Sequence, residues 1–238
     1  MLAAPSSLTF SLSNGDKIEI QLVPAPRARS LRLVCSIAGT RLLVPRYHSN
    51  VEIESFLASK RAWITANHAY YEKLRKKCGG YDSNAIFYLG NRYSVRITKD
   101  LQTFATVSES MNMITFHVTD LKRQRSAVKQ WYMAETTKVL EERLPALAAK
   151  MGLSYNRASV KDVTSRWASC SRNRNLSFSL LLSAAPLEVI DYVIIHELAH
   201  LARMDHSRHF WELVASVDPD FKKHRSWLSD YAPVVRLD

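Results

Sequence analysis

Residues 192–202 read Tyr-Val-Ile-Ile-His-Glu-Leu-Ala-His-Leu-Ala, which sets His196 and His200 four residues apart with Glu197 between them. On a helix, positions i and i+4 share a face, so this spacing aims both imidazoles at one point. Two neutral imidazoles one turn apart suit a tetrahedral Zn²⁺, roughly 2.0–2.1 Å from each nitrogen. Glu197 falls beside that point but is angled away from it. A carboxylate so placed can take a proton from water and return it to a leaving amine. Val193, Ile194, Ile195, Leu198, Ala199, Leu201 and Ala202 make the segment apolar nearly all round, as a buried helix is. Two imidazoles and a carboxylate are costly to bury there unless something compensates. A metal and a wet cleft meet that need better than two core histidines and a surface Glu.

A catalytic zinc takes three protein ligands and keeps one position open. His206, six residues after His200, completes an H-E-x-x-H-x₅-H spacing equal to that of metzincin-type sites. Those sites carry Gly three residues after the second His, whereas this chain has Arg203, so the turn is made differently. His209 is the rival ligand or a substrate-binding residue, and Glu212 a more distant candidate. The alternative is a structural zinc site in a nucleic-acid-binding protein. It would need a fourth ligand, for which Cys170 is the nearby candidate, and would leave Glu197 without a role.

The elements that position these residues are readable in outline. Strand patterns at 8–12 and 17–22 flank an Asn14-Gly15 turn, and 31–37 and 41–44 flank Gly39. A helix is expected from 51 to 77, capped by Asn50 and stopped by Gly79-Gly80. Further hairpins are expected over 87–98 and 103–118. Apolar spacing of three to four residues then predicts a helix over 122–151, ended by Gly152. Strands at 159–163 and 176–182 bracket a polar segment, and Pro186 opens the chemical helix, which runs to about Arg203. Shorter helices follow near 207–217 and 218–228. The expected architecture is α+β: a β-rich region over 1–120, then a helical catalytic core over 121–238, as two domains or one continuous fold.

Composition bounds the rest. The chain has 238 residues, 47% hydrophobic and 23% charged, which is enough for a sizeable core and argues against wholesale disorder. No secretory signal and no membrane-length apolar run is evident. Cys35, Cys78 and Cys170 are an odd count without paired metal spacing, which fits a reducing cytoplasm. Residues 1–160 carry 23 Lys+Arg against 12 Asp+Glu, whereas 161–238 carry 10 of each. The surplus outside the chemical segment is a solvated basic surface or a contact for nucleic acid. Lys122, Arg123, Arg125 and Lys129, near Trp131 and Tyr132, invite the same two readings.

Three blocks in order resemble the YgjP-like metallopeptidase family. They are Arg166-Trp167-Ala168-Ser169-Cys170-Ser171, then Pro186 through Asp191-Tyr192 to His196-Glu197-Leu198-Ala199-His200-Leu201, then His206-Ser207-Arg208-His209-Phe210-Trp211 with Pro219–Lys222 and Trp227-Leu228. The resemblance implies a zincin-like core related to SprT-like and WLM zinc metalloproteases. It implies His196, His200 and His206 as ligands of one zinc per chain and Glu197 as general base. Peptide or protein substrates follow, and the relatives suggest proteolysis at DNA. Ala168 departs from the family's usual Gly, and Ser177-Phe178-Ser179 from its Asn and aromatic. Arg166 is a candidate to bind a substrate carboxylate or an oxyanion, or else to hold its own loop.

Overall fold

The computed structural model describes residues 7–235. It divides into two compact units, Met1–Ser83 and Asn84–Asp238. In the first, strands β1 (Ser7–Ser11) and β2 (Lys17–Pro24) form the expected hairpin, with Gly15 at φ +89° in its turn. Strands β3 (Arg32–Ser36) and β4 (Gly39–Val44) form a second hairpin, and β2 pairs with β4 in parallel. The sheet order is therefore β1-β2-β4-β3. Phe10, Ile20 and Leu42 are buried, and Ile53, Leu57 and Ile64 cover them.

Those last three residues lie on two helices, α1 (Asn50–Ser59) and α2 (Arg61–Lys77), where the periodicity predicts one. The ladder is interrupted at Lys60, whose φ of −104° and ψ of 5° leave the helical region. The cap is Ser49, not Asn50. Ser49 keeps extended backbone, so its Oγ accepts from the Glu52 N–H while Glu52 reaches back to the Ser49 N–H. Asn50 is already inside the first turn.

The second unit opens with β5 (Ala85–Tyr88), β6 (Asn91–Lys99), β7 (Phe104–Ser108) and β8 (Met113–Val118), ordered β5-β6-β8-β7. Its topology repeats that of the first sheet: two hairpins joined by a parallel central pair. Behind it runs α3 (Gln124–Met151), ended by Gly152 in the left-handed conformation. Trp131 packs against Tyr88, Phe116 and Tyr132, so the aromatics beside the basic cluster at 122–129 belong to the interior. Lys129 pairs with Asp162.

The chain passes from the first unit to the second between residues 83 and 84. Within the second unit, the second sheet docks on residues that follow α3. The Leu89 and Gly90 N–H groups donate to the Ser183 and Ala184 carbonyls, in the short 3₁₀ turn Leu180–Ala184. A Cβ on Gly90 would stand 2.7 Å from Pro186 Cγ, so glycine is what lets this turn approach.

A three-stranded sheet follows, ordered β10-β11-β9, from β9 (Arg157–Lys161), β10 (Ala168–Cys170) and β11 (Asn175–Ser179). β10 lies in the polar segment between the two expected strands. Ala168 pairs with Phe178 in ordinary strand backbone, so the change from Gly costs nothing in φ. At the centre is α4 (Leu187–Ala202), flanked by α3, β10, α5 (Arg208–Val217) and α6 (Phe221–Tyr231). Val189, Ile190, Ile194, Leu198 and Ala199 bury it in the largest core cluster. Among the described residues, no helix is long and apolar enough to cross a membrane.

Candidate metal centre

The sequence makes α4 a rigid platform. Its apolar faces are consumed by packing, and the remaining stripe carries His196, Glu197 and His200. α4 stops at Ala202. Arg203 turns the chain in extended conformation, φ −143° and ψ 111°, which any side chain adopts, so no glycine is required. The chain returns through His206 to α5.

His196, His200 and His206 converge, each offering a nitrogen within 4.8 Å of the others'. His196 Nε2 lies 3.2 Å from His206 Nε2. Two nitrogens on one tetrahedral zinc would stand roughly 3.3 Å apart, so this pair already has the spacing of co-ligands. His200 Nδ1 donates to the Arg203 carbonyl at 3.1 Å, which places that ring's proton on Nδ1 and its lone pair on Nε2. Phe210, fully buried, touches all three rings at centroid distances of 4.6–5.0 Å and forms an apolar floor. Trp211 stacks on His206.

Electrostatics favour ligand behaviour. Burial, then the neighbouring His200 and His206, pull the His196 pKa down to about 4, so its imidazole is neutral near neutral pH. Burial lowers the His200 pKa as well. Glu197 is buried, and its pKa is pushed up to about 7 by that burial, partly opposed by the Arg166 charge. Its Oε2 has no hydrogen-bond partner, and neither has His196 Nδ1. Lone pairs crowded together beside an orphaned carboxylate are what a divalent cation would satisfy. The donor set fits one.

The other sequence candidates sort themselves. His209 is exposed at the start of α5 and is not a member of the cluster. Glu212 is paired with Arg208 instead. Cys170 lies near enough to feel the Glu197 charge, yet it is not in the cluster either, and its thiol is raised by burial. Arg166 is exposed on the loop before β10, within electrostatic reach of Glu197.

Several further residues adjoin the site. Tyr192, one turn before His196, meets that ring edge-on, and its other neighbour is the His224 ring. His224 is buried and its Nδ1 is 2.9 Å from Asp218 Oδ2. One signal could have found His224: it sits four residues before the buried Leu228, on the same face of α6. Arg225 places its guanidinium 5.2 Å from the Trp211 ring centroid.

No curated protein and no solved structure matches the chain. A family model does, described as YgjP-like, metallopeptidase domain, and it reaches well upstream of the three motif blocks into the first unit. Matching residues 29–231, most of the sequence, it establishes that the chain belongs to the YgjP-like metallopeptidase family.

Proposed function

We propose that this member of a metal-dependent hydrolase family is a zinc peptidase with a zincin-like core, acting on peptide or protein amide bonds. His196, His200 and His206 are the ligands of one zinc per chain, and Glu197 is the general base. The observation that carries the reading is the convergence of three imidazoles beside a buried carboxylate with an unpartnered oxygen.

The bound cation supplies Lewis acidity, polarising a carbonyl oxygen and making water easier to deprotonate. Glu197 then does the proton work. Held near neutrality by burial, its carboxylate accepts a proton from the attacking water as that oxygen bonds to the carbonyl carbon. When the C–N bond breaks, Glu197 delivers the proton to the departing amine nitrogen. The Phe210 floor keeps the imidazoles fixed and their inner side dry. Arg166, on the Glu197 side, binds a substrate carboxylate or the developing oxyanion, and His209 contacts substrate at the rim. The three cysteines remain thiols, which suits a cytoplasmic protein.

Digestion of an unbiased peptide library by zinc-loaded protein tests the reading. The parent should cleave and Glu197→Gln should lose at least about a hundredfold in rate. Equal turnover by both would remove Glu197 from the mechanism.

A further inference from the structure

Beside the histidines, α5 and α6 frame an open cleft of about 600 Å³ lined by Trp211, Phe221, Lys222, Arg225, Ser226 and Ser229. Its polar character is one-sided. Arg225 and Lys222 are exposed, and no ion pair among the described residues involves either of them. The Arg225 guanidinium is held over the Trp211 ring at 5.2 Å, and Trp211 in turn stacks on Phe221 at 5.3 Å. Stacking fixes a guanidinium while leaving its edge of N–H donors available, so less freedom is lost when an anion arrives. Lys222 Nζ stands 6.0 Å from the Phe221 ring, and the Ser226 hydroxyl, bonded to Asp230 at 3.4 Å, and Ser229 complete the wall.

The cleft is tied to the metal centre through one side chain. Trp211 is 5.6 Å from the His206 ring and 5.7 Å from His196, and the Arg225 charge is felt at both His196 and Tyr192. An extended peptide advances about 3.3–3.6 Å per residue, so Arg225, reached from His206 across the single Trp211 ring, lies within about three residues of a bond held over the histidines.

We propose that this cleft is a specificity subsite for an anionic side chain, a carboxylate or a phosphoester, within about three residues of the cleaved bond. The inference deepens the peptidase reading and rests on it for the position of that bond. Arg225 is the specificity-determining residue, with Lys222 as its auxiliary.

The test is binding, read separately from cleavage. A fluorescent peptide carrying Glu, phosphoserine, Gln or Lys at each successive position, its C-terminus amidated, is titrated against the zinc-loaded Glu197→Gln protein. An anion at one position should tighten binding about tenfold over Gln. Arg225→Gln should reduce that preference to within about twofold, and Arg225→Glu should transfer it to Lys. Phosphoserine exceeding Glu identifies a phosphoester as the natural anion, and the reverse a carboxylate. A preference that survives in the Arg225→Gln, Lys222→Gln double variant, or binding indifferent to charge at every position, overturns the subsite. Cleavage by the parent without charge preference would leave the peptidase reading standing and remove the subsite. Charge-dependent binding with no cleavage by the parent would do the opposite.

Discussion

Arg143 on α3 and Asp191 on α4 form a two-pronged ion pair, Nε to Oδ1 and Nη2 to Oδ2, one turn and a residue before His196. Both side chains are mostly covered, and the Asp191 carboxylate holds the Arg143 guanidinium firmly protonated. The pair fixes the rotation of α4 against α3, and with it the direction in which the imidazole stripe faces. Arg143→Met and Asp191→Asn should each lower stability by about 2 kcal/mol, since each strands a half-buried partner. The double variant should lose less than the two losses together. Urea denaturation of all four proteins checks this, and strict additivity would mean that the pair does not couple the helices.

Metal content separates the roles of the histidines. The parent should bind about one equivalent of zinc, and His196→Ala and His206→Ala should lose it, because two nitrogens cannot replace three in a catalytic site. His209→Ala should retain it, since that ring lies outside the cluster. Loss of zinc in His209→Ala alone would reverse the assignment between the two candidates.

The grouping of the three histidines is easier to read from the sequence than the scaffold around them. Spacing alone brings His196, His200 and His206 together, because a four-residue step on a helix and a short return loop are local geometry. The strands were legible, but not their partners. Alternation at Lys17–Pro24 and Gly39–Val44 predicts a buried face, whereas their parallel pairing is decided by contacts distant in sequence. β10 has no signature in the sequence, because three residues in a polar stretch carry no period and the strand exists only through its pairing with β11. Asp218 and His224 resemble solvated charge until α6 folds against Tyr192. The capping residue shifted by one position because Ser49 and Asn50 have similar cap propensity, and Glu52 three residues on selects Ser49.

Glycines at 90 and 152 make a controlled comparison. Both have positive φ, +81° and +65°, so alanine strains the backbone at each by about 1 kcal/mol. An added Cβ meets open space at Gly152, whereas at Gly90 it would meet Pro186 at 2.7 Å. Gly90→Ala should therefore cost about 2 kcal/mol or more beyond Gly152→Ala, by pushing the hairpin turn off the start of α4. Thermal denaturation measures the difference, and equal costs would mean that the turn and Pro186 part freely.

In the metal-free protein, stability should depend on pH through Glu197. The folded state raises its pKa to about 7 from an ordinary 4.5, so folding favours the protonated carboxyl. Below the ordinary value the group is protonated folded or unfolded and costs nothing. As pH rises through that value toward 7 the unfolded chain releases its proton first, and stability falls; above 7 the full cost is present and constant. At 1.4 kcal/mol per unit of pKa, the cost is about 3 kcal/mol. His196 contributes in the opposite direction, losing stability as pH falls from 6.5 toward about 4, but it is common to parent and variant. Metal-free Glu197→Gln should accordingly be about 3 kcal/mol more stable than the parent near pH 8 and no more stable near pH 4. Zinc should shrink the difference near pH 8, since a nearby cation stabilises the carboxylate. A gap between the two proteins that stays the same at every pH would show that Glu197 is not the group whose burial is opposed.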